Sequence, residues 1–172
     1  GLAAELPRAT PPDVWRDYDP DRGDFREQLV KEETPGGVYS RDTYISAFVL
    51  GEEVRVYCKY AVKSGARQAP GLLNVHGWMA TASRDPSYVD AGWAELSFDY
   101  CGQRAGREHY TRYPARLGYG RMEGKVIHSR LPSGQDITDP KQTSHYLWFA
   151  LQRRALSYLL AQKEVDRTRI GA

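Results

Sequence analysis

Residues 72–78, with the sequence Leu-Leu-Asn-Val-His-Gly-Trp, decide the fold class together with residues 94–100, Ala-Glu-Leu-Ser-Phe-Asp-Tyr. Each stretch is a short apolar run that ends in a polar turn, and the Asp-Pro pair at residues 85–86 is typical of a helix start. This strand, helix, strand order predicts two parallel strands joined by a right-handed crossover. Because α/β sheets carry functional groups at the carboxyl ends of parallel strands, we expect Trp78 and Tyr100 at one edge of the sheet.

The pattern on either side of these strands predicts the rest of the domain. Residues 38–61 form two alternating runs of β-forming residues separated by Gly51-Glu52-Glu53, which predicts an antiparallel hairpin. Residues 139–162 carry apolar side chains at helical spacing after an Asp-Pro start, and residues 165–170 lead into a final strand.

Two segments lack a regular pattern. Residues 1–37 contain several prolines among charged residues, which favours a leader wrapped over the surface, with a helical stretch near residues 25–30. Residues 103–138 form a long Gly- and Pro-containing insertion, and a connection of this length within a compact domain is typical of a functional loop or a lid.

Composition excludes several classes of protein. The chain has 24 Lys and Arg residues against 22 Asp and Glu residues, so it is not expected to bind nucleic acid. It contains no run near the roughly 20 apolar residues that span a bilayer, so no membrane partner is expected. The first residue is Gly1, which is compatible with removal of a leader and a secreted or periplasmic location, or with a cytoplasmic one.

The cysteines and histidines give no metal signature. Cys58 lies in a strand pattern and Cys101 in a turn, so two separate thiols are favoured over a disulfide. No Cys/His cluster is present, and no metal-ligand spacing connects three of the histidines, His109, His128 and His145. The sequence therefore predicts no metal site.

From residue 38 to residue 172 the chain resembles the α/β-hydrolase superfamily, most closely its acetyl xylan esterase, cephalosporin deacetylase and dienelactone hydrolase-like members. The family's Asp-x-x-Gly-Gln turn is matched by residues 99–103, and its Val-Asp-x-x-Arg-Ile strand by residues 165–170. Its His-Gly-aromatic turn is matched by His76, Gly77 and Trp78.

This resemblance implies the N-terminal part of an α/β-hydrolase fold. The implied sheet is mixed and mostly parallel, is opened by the antiparallel hairpin, and has helices on both faces. Residues 38–172 would then form an incomplete domain preceded by the leader at residues 1–37. In the family, the Gly-x-Ser-x-Gly nucleophile turn follows the strand matched here by residues 165–170, so we expect the chain to end just before the catalytic serine.

The resemblance also assigns roles around the first turn. The backbone N–H of Trp78 is expected to donate to the negative oxygen that forms during acyl transfer. His76, Gly77 and Tyr100 are expected to line the substrate site, with His76 orienting the turn rather than acting as a base. Asp99 is interpreted as a structural residue paired with an Arg, because the family's triad acid follows the serine in the chain. No cofactor is implied.

The insertion gives the remaining candidate residues. Between residues 103 and 130 it has seven basic residues against two acidic ones. Tyrosine rings there would stack on sugars while a guanidinium binds a carboxylate, although a solvated loop with arginines paired to acidic residues elsewhere remains an alternative. The candidate substrate contacts are Arg107, Tyr110, Arg112 and Tyr113.

We interpret the chain as part of a serine esterase that hydrolyses a small acyl or carbohydrate ester through an acyl-enzyme intermediate. It would supply the oxyanion turn, while a C-terminal complementary segment or chain would supply the triad, so the chain alone is expected to be inactive. Two alternatives remain open. One is a non-catalytic binding or structural module on a hydrolase scaffold, and the other is a peptidase of the prolyl-oligopeptidase type.

Overall fold

The structure, a computed structural model, describes residues 9–77, 79–122 and 136–172. Within these ranges, six strands form a mixed sheet in the order β1-β2-β3-β5-β4-β6. Four strands, β2, β4, β5 and β6, run in one direction, and β1 and β3 run in the other. The strands are β1 (Gln28–Glu33), β2 (Val38–Val49), β3 (Glu52–Lys63), β4 (Ala69–Val75), β5 (Ala94–Phe98) and β6 (Val165–Gly171).

The predicted hairpin is confirmed as β2 and β3, with Leu50 and Gly51 at its turn. Both turn residues have positive φ angles, of 50° and 80°, and glycine adopts this conformation without the steric cost that a side chain brings. The pairing places Tyr44 opposite Tyr57 and Asp42 opposite Lys59 on one face of the sheet.

The helical stretch predicted near residues 25–30 is wrong, because residues 28–33 form β1 at the edge of the sheet. The sequence signal there is weak, since β1 is mostly exposed and its one large apolar side chain on the surface, Leu29, is 51% exposed. A helix does occur in the N-terminal segment, as α1 (Pro11–Trp15), where Pro11 and Pro12 occupy the first turn.

The parallel part of the sheet follows the predicted strand, helix, strand order. β4 pairs with β5, and α2 (Pro86–Asp90) lies between them in the chain, where the Asp85 side chain accepts from the N–H of Ser87 and caps the helix. The strand β6 pairs with the other side of β4. A Cβ at Gly71 of β4 would lie 2.8 Å from Cδ1 of Ile170 of β6, so a larger residue there would displace the end of the Ile170 side chain.

Helices cover both faces of the sheet, as expected. The long helix α3 (Ser144–Leu160) packs with Leu73, Leu96 and Phe98 in the main apolar core. On the opposite face, the segment that leads into α2 binds two buried polar side chains of β5. Ser97 accepts from the N–H of Ser83, and Glu95 accepts from the N–H of Asp85.

The N-terminal segment is fastened to α3 by aromatic contacts and by one buried arginine. Trp15 stacks on Tyr146 at 4.7 Å, and the Tyr18 hydroxyl donates to the carbonyl of Ala150. Arg154 is buried and donates to the carbonyls of Ser46, Pro20 and Gly23. In the part of the chain that the structure describes, no helix has the length and apolar character needed to cross a membrane.

Candidate active site

The turns after β4 and β5 meet at the carboxyl edge of the sheet. The last residues of the two strands, Val75 and Phe98, are paired in the parallel ladder. Immediately beyond them, the rings of His76 and Tyr100 stack with centroids 4.1 Å apart and planes 3° apart. The Tyr100 hydroxyl also donates a 2.9 Å hydrogen bond to the carbonyl of His76. These contacts join the two turns into one unit.

The carboxylate of Asp99 organises the turn that follows β5. It accepts from the backbone N–H groups of Cys101 at 3.1 Å, Gly102 at 3.2 Å and Thr111 at 2.7 Å. Its Oδ1 atom lies 3.5 Å from His76 Nε2, and both side chains are almost fully buried. The interpretation of Asp99 as structural fits this geometry, but its partners among the described residues are backbone groups and a histidine rather than an arginine.

Both ring nitrogens of His76 face oxygen atoms. Nδ1 lies 2.9 Å from the carbonyl oxygen of Gly77, and Nε2 faces the Asp99 carboxylate. The N–H of Tyr100 also points at Nε2, with a longer distance of 3.4 Å. Neighbouring groups therefore contact both ring nitrogens of His76, and its role in orienting the turn stays a prediction.

The residue expected to donate to the oxyanion, Trp78, lies outside the described residues. On one side of it, Gly77 is exposed at the edge of the sheet. On the other side, Met79 has a φ of +61°, and the N–H of Ala80 donates to the carbonyl of Gly77. The side chain of Arg104 donates to the carbonyl of Met79, so the insertion contacts this turn directly.

The described part of the insertion leaves the sheet edge and returns to it. The Thr111 hydroxyl accepts from the N–H of Tyr57 at 3.0 Å, and Arg112 pairs with Arg55 of β3 as an isolated antiparallel bridge. Farther along, the N–H of Met122 donates to the carbonyl of Cys101 at 2.8 Å. The insertion is therefore fastened beside the turns of the candidate site.

The four predicted substrate contacts in the insertion have different surroundings. Arg107 is exposed and Tyr110 is half-buried. The guanidinium of Arg112 lies 4.6 Å from the centre of the Tyr44 ring, on the face of the sheet opposite α3. Tyr113 is buried and its hydroxyl donates to the carbonyl of Tyr100, a position that does not fit stacking on a sugar ring.

A groove of about 750 Å³ lies on the same face as Tyr44. Tyr57, Lys59 and Glu95 contribute from the sheet, and Arg107 and His109 contribute from the insertion. The His109 ring stacks on Tyr57 at 5.5 Å. Thus Arg107 borders this groove, and the insertion connects it with the turns at the strand ends.

Cys101 is the one described residue of the turns that combines burial with nucleophilic chemistry. Neither cysteine forms a disulfide, in agreement with the sequence analysis. Burial and the nearby Asp99 carboxylate raise the pKa of the Cys101 thiol to about 12, so the thiol is protonated at neutral pH. The side chain of Cys101 lies close to those of His76 and Asp99. The sequence does not reveal that these three residues meet, because they come from the ends of two different strands.

Comparison with known proteins gives similarity in structure alone. No family model matches the sequence, and no curated protein matches it. Two solved structures superpose well. An acetyl xylan esterase from Paenibacillus sp. R4 gives a TM-score of 0.60 at 18% identity, with 88% of this chain and 47% of that chain covered. Acetyl xylan esterase 1 from Thermoanaerobacterium sp. JW/SL YS485 gives a TM-score of 0.62 at 20% identity, with 87% of this chain and 45% of that chain covered.

The chain thus spans about half the length of the solved structures that it matches. The sheet is mixed and is opened by the antiparallel hairpin, as the resemblance implies. On these grounds, the chain has an α/β-hydrolase-like fold, which it shares with these two acetyl xylan esterases.

Proposed function

We propose that this chain is part of a serine esterase and forms the oxyanion turn of its active site. The observation that carries the proposal is the stacked pair of His76 and Tyr100, which fixes the turn before Trp78 at the carboxyl edge of the parallel strands. An oxyanion donor must be held in place before the reaction, and a backbone N–H beside a rigid pair of turns meets this requirement.

The catalytic triad would come from residues outside this chain. The 172 residues contain no Gly-x-Ser-x-Gly sequence, so no serine here lies in a nucleophile turn. In the proposed mechanism, a serine activated by a histidine attacks the ester carbonyl, and the alcohol leaves as the acyl-enzyme forms. Water then attacks the acyl-enzyme, which releases the acid and restores the serine hydroxyl. The N–H of Trp78 and the N–H that follows the serine would stabilise the oxyanion formed in each of these two steps.

The proposed substrates are small acyl esters of carbohydrates. The two solved structures reported above are acetyl xylan esterases, which supports this class without fixing the sugar. The exposed Arg107 borders the groove beside the insertion and has no side-chain partner among the described residues, so it is free to bind a carboxylate of an acidic sugar.

A complementary segment is proposed to pack beside β6 and α3. β6 is a sheet edge in the described ranges, and the neighbouring Phe149 of α3 is 53% exposed. An apolar cavity of about 500 Å³ lies between them, with Leu73 and Ile170 in its wall. Further strands and a helix placed there would pair the open edge and cover these apolar side chains.

Two substitutions at Trp78 test the oxyanion role in a protein that joins this chain to a segment carrying the nucleophile. Trp78→Pro removes the backbone N–H and should lower kcat for 4-nitrophenyl acetate by about 10²- to 10³-fold. Trp78→Phe keeps the N–H and should retain most of kcat. Equal losses in both variants, with both folded by circular dichroism, would contradict the proposed role.

A second test uses the 172-residue chain alone. It should not hydrolyse 4-nitrophenyl acetate above a heat-treated control, and a fluorophosphonate should label none of its serines. Serine-dependent turnover by the 172 residues alone would show that the active site lies elsewhere. Failure of the joined protein to hydrolyse any ester, with a nucleophile turn present and the fold intact, would favour a non-catalytic binding module.

A further test concerns the sugar. In the joined protein, Arg107→Ala should lower kcat/KM for an acidic-sugar ester about 10-fold or more and leave a neutral acetate unaffected, because a charge-assisted hydrogen bond contributes about 1.5–3 kcal/mol. Arg112→Ala is the matched comparison, since its guanidinium already packs on Tyr44. Equal effects of Arg107→Ala on both substrates would make Arg107 a surface charge.

A further inference from the structure

Three buried side chains with metal-binding atoms meet at the ends of β4 and β5. Within the described ranges, the ligand atoms of His76, Asp99 and Cys101 all lie within 4.8 Å of one another. A fourth possible ligand atom, a second sulfur, is close by, since the Cys101 Sγ atom lies 3.7 Å from Sδ of Met122. The chain therefore gathers a nitrogen, a carboxylate oxygen and two sulfurs in one interior position.

His76 has a close contact between a lone pair and an oxygen atom in either neutral form. If the proton is on Nδ1, it is donated to the Gly77 carbonyl, and Nε2 accepts from the N–H of Tyr100 at 3.4 Å while it also faces the Asp99 carboxylate at 3.5 Å. If the proton is on Nε2, the Nδ1 lone pair faces that carbonyl at 2.9 Å. A positive charge between Nε2 and Asp99 removes this conflict, either as a second proton or as a metal ion.

The groups around the cluster match those that support metal ligands. A metal-binding histidine usually donates its other N–H to a backbone carbonyl, which is the role that Gly77 plays here. A metal-binding carboxylate is usually hydrogen-bonded as well, and Asp99 accepts from the N–H groups of Cys101, Gly102 and Thr111.

We propose that His76 Nε2, Asp99 Oδ1 and Cys101 Sγ bind a divalent cation of the Zn²⁺ type. A mixed set of imidazole, carboxylate and thiolate suits this borderline-soft ion, and the Met122 thioether is the nearest further donor. Bonds of about 2.0–2.3 Å in a tetrahedral site place ligand atoms roughly 3.3–3.8 Å apart. The separation of 3.5 Å between His76 Nε2 and Asp99 Oδ1 already fits this range.

Binding changes the protonation of one residue. The Cys101 thiol gives its proton to solvent and coordinates as the thiolate, while His76 coordinates through the Nε2 lone pair and keeps its proton on Nδ1. The weak contact from the N–H of Tyr100 to Nε2 is given up. A bound ion would also hold Gly77 in place, so occupancy of this site bears on the neighbouring turn without depending on ester hydrolysis.

The test uses the 172-residue chain, stripped with a chelator and titrated with Co²⁺ as a spectroscopic substitute for Zn²⁺. We expect one equivalent to give a thiolate-to-cobalt charge-transfer band and the visible absorption of a four-coordinate ion, both removed by Zn²⁺. Cys101→Ala should abolish the charge-transfer band and weaken Zn²⁺ binding by more than about 100-fold. Cys58→Ala is the matched control, since Cys58 is the other buried free thiol and should be dispensable.

Several results would overturn the proposal. No thiolate band at saturating Co²⁺ in the unsubstituted chain would exclude the site without the use of any variant. A band that persists in Cys101→Ala, or disappears in folded Cys58→Ala, would place the metal elsewhere. Co²⁺ that binds without a thiolate-to-cobalt band would be bound at the protein surface, and this result would also exclude the proposed site. An imidazolium signal of His76 in the ¹⁵N NMR spectrum that is unchanged by excess Zn²⁺ would show that a proton fills the position.

Discussion

The backbone N–H of Thr111 donates a 2.7 Å hydrogen bond to the carboxylate of Asp99, across 12 positions of the sequence. The Thr111 hydroxyl completes a second link, since it donates to the Asp99 carbonyl at 2.5 Å and accepts from the N–H of Tyr57 at 3.0 Å. Thr111 thus connects the insertion, the turn after β5 and the strand β3. The described part of the insertion before residue 123 is therefore built into the edge of the sheet.

Replacing Thr111 by Val tests this connection. The substitution keeps the shape of the side chain but leaves the N–H of Tyr57 and the carbonyl of Asp99 without their buried partner, so we expect a loss of about 1–3 kcal/mol in the free energy of unfolding. This loss of unfolding free energy is measured by urea unfolding that is monitored by circular dichroism. The exposed Thr168→Val, whose hydroxyl binds Asp166, should cost less than about 1 kcal/mol, and a similar cost for both variants would refute the connection.

Arg154 and its neighbour Arg153 provide a matched pair of arginines. Arg154 is buried and donates to three backbone carbonyls, so Arg154→Met should destabilise the chain by about 3–5 kcal/mol because those carbonyls lose their donor. Arg153 packs on the rings of Trp15 and Tyr18, and Arg153→Met should cost about 1 kcal/mol. Thermal and urea unfolding of the two variants give the comparison, and equal costs would argue against the role assigned to Arg154.

Stability should fall at alkaline pH because of tyrosines whose pKa is raised by burial, such as the half-buried Tyr119. Burial raises the pKa of Tyr119 from its ordinary value of 10.0 to about 12. The folded chain therefore holds this proton after the unfolded chain has lost it, and the stabilisation, complete below pH 10, is lost as the pH rises towards 12. In Tyr119→Phe, the decline in unfolding free energy over that range should be shallower, and an unchanged slope would mean that Tyr119 ionises normally.

Because β6 is an open sheet edge beside exposed apolar side chains of α3, we expect the chain to self-associate or to bind dyes that recognise apolar surfaces. The chain without a complementary segment should bind the dye ANS, and Phe149→Glu should reduce that binding because Phe149 is exposed beside the apolar cavity near β6. Leu29→Glu is the control, since Leu29 is equally exposed on the distant strand β1. A dilute, monomeric chain that binds no dye and unfolds in one cooperative transition would count against a missing segment.

The sequence predicts the regular elements of this fold better than its polar contacts. The hairpin, β5, the start of α2 and the free state of both cysteines are confirmed, because each rests on a local pattern of apolar and capping residues. β1 was missed because an exposed edge strand needs no apolar face, and its identity depends on pairing with β2. The start of α3 differs by a few residues, since Asp139 caps a short 3₁₀ turn and Thr143 then caps the helix.

In the candidate site, too, the sequence predicts where the strands end better than it predicts the polar contacts between them. The meeting of the turns after β4 and β5 follows from parallel pairing, and the stack of His76 on Tyr100 confirms it. The bonds from Asp99 to Thr111 and the grouping with Cys101 depend on how the insertion returns to the sheet, which no local spacing encodes. The burial of Tyr113 has the same origin, since the return of the chain places Gly102 and Gly120 against its ring.

Reading the encoded residues that follow Ala172 tests whether this chain supplies the oxyanion turn of a serine esterase. We expect a Gly-x-Ser-x-Gly sequence within about the first ten of them, because β6 pairs with β4 and resembles the strand that leads into the family's nucleophile turn. A stop codon, or a continuation without a serine between two glycines at that spacing, would contradict the claim.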